Sequence, residues 1–400
     1  MNCFRNFQLQ FGQIQILNVM KLVSKIYLKQ RFQKRNQFYL FLIFIIFAAV
    51  SACEPFVDTI NDTRDCVYYE NSSNESYPET DTILVMTWNI RFGCGSEILW
   101  FGDACGERTV LTKKEITKNL DLIIEEINRL KPHILLLQEV DVQCKRSAYI
   151  DQMQYIIDRT YFRYGVYATN WKIQFIPSDG IGRMDEGNSI LSVWPISEAR
   201  LHPLPLRNDL DALTRFFYVR EVVMSCKVSM NNKDFYVVNT HLSAFSTDDT
   251  KKRQLDRYIE ILDELDTSGL PLVTGGDYNL LPPNSDKTDY CEEDKCPGEH
   301  FHSPDDNPQH KDGSFYTPEI TWLQSLYDKY YPSLTLEEYK KAQSKFFTHA
   351  TDPAFDWDRT LDYLFANRPW VENSHTTYQM FRIHSDHAPV SGLWRVYEKK

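Results

Sequence analysis

His384-Ser385-Asp386-His387-Ala388-Pro389-Val390 is the stretch from which the rest of the chain can be read. An acid directly before a histidine, closed by a proline and running into an apolar segment, sets a metal ligand beside a proton carrier. Four other polar clusters interrupt apolar runs upstream: Thr87-Trp88-Asn89-Ile90, Gln138-Glu139-Val140, Asn239-Thr240-His241-Leu242 and Gly276-Asp277-Tyr278-Asn279. Each follows a short β-prone segment. Strand ends carrying Asn, Glu, His, an Asp/Asn pair and an Asp/His pair describe one polar site on one rim of a sheet core.

Outward from these clusters, periodicity sets the elements. Residues 83–88, 134–137, 188–193, 270–274, 360–366 and 388–396 read as strands. Residues 113–129 place Ile116, Leu120, Ile123, Ile124 and Ile127 on one helical face. Helices are also expected at 149–160, 247–265, 319–330 and 334–344. Asn231-Asn232, between 219–230 and 233–239, is a two-residue hairpin turn. Residues 281–318, with six prolines, read as loop. Strands alternating with helices, plus one hairpin, predict an α/β domain with mixed sheets.

The 400 residues allow one large domain or two small ones, and 42% hydrophobic content supports a sizeable core. Residues 1–53 hold seven of the 44 Lys and Arg and no acid, which leaves 37 basic against 55 acidic residues, a net of −18, in the remainder. Such a body does not draw polyanions by bulk electrostatics. A phosphate-bearing substrate then needs a local cation, and a divalent metal is the obvious one.

Residues 20–37 are basic, and 38–50 form an uncharged run of 13. That is short for a membrane span of about 20 residues and suits a signal sequence. Val50-Ser51-Ala52-Cys53 resembles a bacterial lipobox, in which Cys53 is lipidated and becomes the first mature residue; an uncleaved signal anchor is the alternative. Either way the body is expected outside the cytoplasm, as a cell-envelope lipoprotein on the outer face of a membrane or as a secreted protein. Residues 54–80, rich in Asn, Ser, Glu and Thr, read as a flexible tether. Residues 81–400 read as the domain, with an insertion at about 281–345. Export permits disulfides, and Cys94 with Cys105 and Cys291 with Cys296 are the local pairings expected. Zinc at Cys291, Cys296, His300 and His302 is the rival reading of that loop, although the spacing matches no common zinc pattern.

Magnesium takes one or two carboxylates, with waters and substrate oxygens filling the rest; Mn2+ is its usual substitute. Glu139 and Asp386 can supply the carboxylates. Asn89 can supply an amide oxygen or orient a water of the metal's shell. A surface carboxylate is the plain alternative for Glu139, but a charge ending so apolar a run argues against it. His241 and His387 are imidazoles that carry protons near neutral pH. A lone histidine after a strand is commonly structural; it is the pair, beside the polar clusters, that points to chemistry. Asp362, within Thr360-Leu361-Asp362-Tyr363-Leu364-Phe365, is an acid in an apolar strand, placed to hold a histidine ring or to take backbone donors. Asp277 and Asn279 follow two glycines that let the backbone turn tightly. Asn279 can donate to a phosphate oxygen and Asp277 can orient or deprotonate a water; an ordinary Asx turn is the alternative. Arg220 is a candidate phosphate fork, or else a partner of Glu221. These parts suit hydrolysis of a phosphate ester by in-line attack of water. No G-x-S-x-G and no G-x-x-x-x-G-K occurs, so neither a serine nucleophile nor a nucleotide cradle is indicated.

The ordered set WN, QE, THL, GDYN, LDYLF and SDHAPV, over about residues 83 to 396, resembles the endonuclease/exonuclease/phosphatase superfamily, typified by deoxyribonuclease I, exonuclease III-like repair enzymes and neutral sphingomyelinases. The resemblance implies a four-layer α/β sandwich of two packed mixed sheets flanked by helices, and a divalent-metal phosphoesterase. Carried over by motif, Asn89, Glu139 and Asp386 match metal-site residues and His387 the catalytic histidine. Asp362 matches the acid that pairs with it, His241 the second histidine, and Asp277 and Asn279 the GD-x-N pair. Arg220-Glu221 resembles the Arg-Glu segment of deoxyribonuclease I. Gly187-Asn188-Ser189-Ile190-Leu191-Ser192 and Arg146-Ser147 before Asp151-Gln152 look closer to exported or membrane-associated members acting on small or lipid phosphoesters. They are also similar to the C-terminal domain of the fungal cell-wall protein that remodels GPI-anchor lipids.

Three functions are therefore weighed: a membrane-tethered phosphodiesterase or phosphatase for lipid head groups or small phosphoesters, an extracellular nuclease, and a non-catalytic binding module. Low basicity argues against nucleic acid as the partner, the intact polar set argues against the binding module, and nothing points to a protein partner.

Overall fold

Each central strand sends alternate side chains to opposite faces, and both faces are apolar. Val237 and Val238, Val273 and Leu272, and Leu364 and Phe365 divide in this way between two separate hydrophobic clusters. A strand buried on both faces needs a layer on each side, and that requirement builds the architecture. The computed structural model describes residues 55–72, 77, 80–101, 105–294, 314–350 and 356–397. The chain divides into two units, Met1–Phe56 and Val57–Lys400. In the first, only Pro55 and Phe56 are described, so the basic and apolar segments and Cys53 lie outside the described residues.

In chain order the strands are β1 (Arg64–Asp65), β2 (Val67–Glu70), β3 (Thr82–Asn89), β4 (Ile134–Asp141), β5 (Tyr164–Ile176), β6 (Gly182–Ser192) and β7 (Ile196–Pro203). They continue as β8 (Val222–Met230), β9 (Lys233–His241), β10 (Leu272–Asp277), β11 (Tyr331–Pro332), β12 (Asp362–Ala366), β13 (Thr376–Thr377) and β14 (Val390–Arg395). They form two mixed seven-stranded sheets, ordered β13-β14-β3-β4-β6-β5-β2 and β1-β7-β8-β9-β10-β12-β11. Each sheet contains one parallel pair bridged by a long helix: β3 and β4 by α1 (Lys113–Leu130), β9 and β10 by a helix at Thr250–Asp266. Helix α1 starts at a Thr112/Glu115 capping box, stops at left-handed Lys131 ahead of Pro132, and buries its predicted isoleucine face. The two sheets pack face to face with helices outside, the sandwich the sequence predicts.

The register carries the site. Asp277 at the end of β10 pairs with His241 on β9 and with Asp362 on β12, so three polar side chains stand in one row at one rim. On the facing sheet Asn89 pairs with Gln138. The sheets are tied at this rim by polar side chains: Gln138 Nε2 donates to Asn239 Oδ1 (2.7 Å), and Asn239 Nδ2 donates to the carbonyls of Leu137 and Ser189 (2.9 Å each).

Several expectations need correction. Residues 57–70 are not a tether: β1 pairs with β7, β2 pairs with β5, and Val57 bridges to Ile173. The polar composition there reflects exposed sheet edges, not chain freedom. Cys105 is disulfide-bonded, but Cys94 is a buried thiol whose Sγ lies 3.7 Å from the Ile98 carbonyl, so the two do not pair. Cys291 is also a buried thiol, and Cys296, His300 and His302 lie outside the described residues. The helix expected at 149–160 shrinks to α2 (Gln152–Ile157), and α3 (Ala212–Phe217) was not foreseen. The helix at Thr250–Asp266 is α4. Among the described residues no helix is long and apolar enough to cross a membrane.

Candidate active site

The site is assembled from strand ends that break the regular backbone. Glu139 sits at φ 54 in a bulge between Leu137 and Val140 of β4, which re-aims its carboxylate toward the rim. At Asn279 the backbone is again left-handed, φ 49. Gly276, at φ 145, lies so close to Thr240 that a Cβ would fall 1.9 Å from its carbonyl oxygen, so only glycine fits before Asp277. Non-glycine residues in the left-handed region are uncommon, and their concentration at this rim is strain held by the surrounding hydrogen bonds.

Asp277 Oδ2 is the hub. It lies 3.1 Å from Asn89 Nδ2, 3.4 Å from His241 Nε2 and 3.5 Å from His387 Nε2. Asp277 Oδ1 accepts from Asn279 N at 3.0 Å, so the Asx turn and the polar site are one structure. Asn279 Nδ2 reaches His241 Nε2 at 3.1 Å and donates to the Leu242 carbonyl at 2.9 Å. On its other side, His387 Nδ1 meets Asp362 Oδ2 at 2.8 Å. The imidazole thus stands between two carboxylates. Burial works against its charge, yet Asp362 and Asp277 outweigh burial and raise the His387 pKa well above the ordinary value. For His241 burial is again opposed, here by Asp277, Glu221 and Glu139, and its pKa rises to about 8.

Asn89 also donates to Glu139 Oε1 at 2.9 Å, while its own Oδ1 accepts from Arg91 N at 3.0 Å. That backbone donor fixes the amide orientation. Asn89 therefore bridges Glu139 and Asp277 through its NH2 group, while its Oδ1 takes the Arg91 N–H. Asp386 is paired with Arg91 Nε at 3.2 Å and takes the Ser385 hydroxyl at 3.2 Å. Glu139 is pushed up in pKa chiefly by burial, opposed by the charge of His241 and reinforced by that of Asp386. Asn89 links Glu139 to Asp277, and Asp386 bears on Glu139 electrostatically, so carboxylate oxygens predominate here, the donor type that suits Mg2+ or Mn2+. Two groupings bring three side chains close enough to share an ion: Asp277, Asp362 and His387, and His349, Asp386 and His387. In the first, both ring nitrogens of His387 already face carboxylates, which makes it a proton relay in preference to a ligand shell.

The structure brings Asn89, Glu139, His241, Asp277, Asn279, Asp362, Asp386 and His387 to this rim. It does not bring Arg220. Val219 and Glu221 line the adjacent cleft, whereas Arg220 between them does not, and the charge bearing on it is Asp58. The fork expectation is not met: Arg220 sits in the irregular segment ahead of β8, with its backbone N–H bonded to the Asn170 carbonyl. Arg91 and His349 were missed by sequence reading. Arg91 lies two residues past Asn89 and could have been found by extending that motif; His349, whose ring lies 4.5 Å from that of His387, has no local signal.

The cleft, about 280 Å³, is walled by Phe92, Trp100, Trp171, Tyr218 and Phe245 and carries Glu139, Glu186 and Glu221. Arg146 lies over the Phe92 ring at 3.8 Å and is bidentate on Asp141. A larger cavity, about 1080 Å³, opens at the opposite strand ends beside Thr82, Arg368 and Arg395; no histidine lines it, so the chemistry lies elsewhere. Burial raises Glu186 from 4.5 to about 8 despite Arg146. Between those values the folded chain keeps a proton that the unfolded chain has released, so stability falls as pH rises, by up to about 1.4 kcal/mol per unit. Glu186→Gln should flatten the pH slope of unfolding free energy between about pH 5 and 7.5 by about 1 kcal/mol per unit in metal-free protein. Urea titrations across that range check this, and an unchanged slope contradicts it.

Two packed mixed sheets with a carboxylate–histidine rim define a deoxyribonuclease I-like fold. The profile of the endonuclease/exonuclease/phosphatase family matches residues 86–387, and the chain belongs to that family, whose members hydrolyse phosphoesters, typically with a divalent metal. Among solved structures the chain is similar to an endonuclease/exonuclease/phosphatase from Beutenbergia cavernae DSM 12333, at 19% identity and TM-score 0.53, covering 79% of this chain and 72% of that one. It is also similar to the catalytic domain of human Nocturnin with bound sulfate, at 16% identity and TM-score 0.44, covering 82% and 96%. A mannosyl-6-phosphatase of Bacteroides thetaiotaomicron VPI-5482 gives 15% identity and TM-score 0.45, covering 78% and 99%. No curated protein matches the sequence significantly.

Proposed function

We propose that the chain is an exported, membrane-tethered hydrolase of phosphoric esters that uses Mg2+ or Mn2+ and acts on lipid head groups or small phosphoesters. The observation that carries the reading is Asp277 Oδ2, which gathers Asn89, His241 and His387 at 3.1, 3.4 and 3.5 Å. Water attacks phosphorus in line with the bond to the leaving oxygen. Its proton passes to the carboxylate of Asp277, and His387, held cationic by Asp362, donates toward the phosphoryl and leaving oxygens. His241 and Asn279 place N–H groups beside the phosphate. Glu139 and Asp386 would hold a divalent cation, which when bound would supply neutralising charge where the transition state gains it.

The cleft favours a small or lipid substrate over nucleic acid. Its wall is aromatic, and besides His241 its basic side chain is Arg146, which Asp141 already engages. Single strands require a cationic track with stacking platforms. Helix α3 leads directly into Tyr218 of the wall and exposes Leu213 (70%) and Phe216 (43%), an apolar lip suited to acyl chains. Rates on bis-p-nitrophenyl phosphate, sphingomyelin, inositol phosphates and plasmid DNA, with each metal, test the proposal. Preference for lipid or small esters supports it, preference for plasmid makes the chain a nuclease, and no hydrolysis with either metal leaves a binding module. Export and tethering are supported by residues 20–53. Labelled palmitate should enter the wild-type chain in a bacterial host and not Cys53→Ser; label in the variant contradicts the anchor.

A further inference from the structure

Lys251 is placed where helix stability does not want it. It lies in the first turn of α4, 1% exposed, where an ammonium meets the positive end of the helix dipole and loses its hydration. Its Nζ sits 2.6 Å from Glu319 Oε2 and donates to the backbone carbonyl of Asn279 at 3.0 Å. The Tyr316 ring covers it, with the centroid 4.7 Å from Nζ. Glu319, also 1% exposed, ends the short turn Thr317–Glu319. That turn belongs to the stretch of about 281–345 read from the sequence as an insertion.

The carbonyl that Lys251 holds belongs to the left-handed residue whose amide reaches His241 Nε2 and whose N–H closes the turn onto Asp277. Gripping that carbonyl fixes the peptide plane, and with it the direction of the Asn279 side chain. We infer that Lys251 and Glu319 are positioning residues: the insertion keys into the Asp277–Asn279 turn through a buried ion pair and sets the geometry of the catalytic rim. Neither residue touches the reacting atoms. The kinetic part of the test rests on the phosphoesterase reading; the structural part does not.

A buried ion pair exchanged for apolar side chains of similar volume commonly leaves stability unchanged or raised. In Lys251→Met/Glu319→Leu the melting temperature should hold, while kcat on bis-p-nitrophenyl phosphate falls about 30-fold with KM within about 3-fold, as expected for a slightly displaced catalytic group. A purely structural pair predicts unchanged kcat, and kcat within about 2-fold of wild type overturns the inference. A crystal structure of the double variant reads the same point without activity: Asn279 Nδ2 should leave hydrogen-bond distance of His241 Nε2, and retained contact contradicts the inference. If the double variant does not fold, Glu319→Gln keeps the shape and removes the charge; it should lower kcat several-fold, and an unchanged kcat again overturns the inference. An inactive wild type sinks the phosphoesterase reading alone, and the structural comparison then decides this one.

Discussion

His387→Ala should lower turnover of bis-p-nitrophenyl phosphate by about 10³-fold while the protein stays folded. The ring stands between Asp362 and Asp277, at 2.8 and 3.5 Å, and the two carboxylates let it hold a proton that it can release to a leaving oxygen. Its loss removes a proton donor and leaves the two carboxylates facing each other. The fold should tolerate this, because Trp88 Nε1 and the backbone around His387 still hold the loop, with Trp88 donating to the His387 carbonyl at 3.0 Å. Asp362→Asn should give a smaller loss, since the amide keeps a partner for Nδ1 but withdraws the charge that keeps the ring cationic. Steady-state kinetics with a thermal melt check both. Near wild-type rates in His387→Ala remove the assignment.

Glu139→Ala should abolish the metal response: activity falls to background, and isothermal titration with Mn2+ loses at least about 100-fold in affinity. The carboxylate is aimed by a bulge and held by Asn89. Its loss also removes a half-buried carboxylate whose surroundings disfavour ionisation, so the metal-free variant should be no less stable than wild type. A Glu139→Ala protein that still binds Mn2+ as wild type does places the ion elsewhere.

Most of the rim was legible in the sequence because the fold places it at strand ends. Apolar runs stopping at Asn89, Glu139, His241 and Asp277 mark the layer where two sheets meet water, and the register then lines up His241, Asp277 and Asp362. What was not legible has physical reasons. Strand β5 was missed because it slips register twice against β6, between Thr169 and Trp171 and between Ile173 and Ile176, which destroys its alternation. The edge strands β1 and β2, two and four residues long, look like linker because an exposed edge tolerates polar side chains. Arg220 was misread because it sits in an irregular segment between α3 and β8, where no periodicity says which way a side chain turns. Arg91, the partner of Asp386, stands in a left-handed turn that no periodicity describes.

An anomalous diffraction map of a crystal soaked in Mn2+ tests the central claim most directly. A single strong peak within ligand distance of Glu139 and Asp386, on the side facing Asp277, is the predicted result. A peak at His349 or among Asp277, Asp362 and His387, or no peak at all, contradicts it.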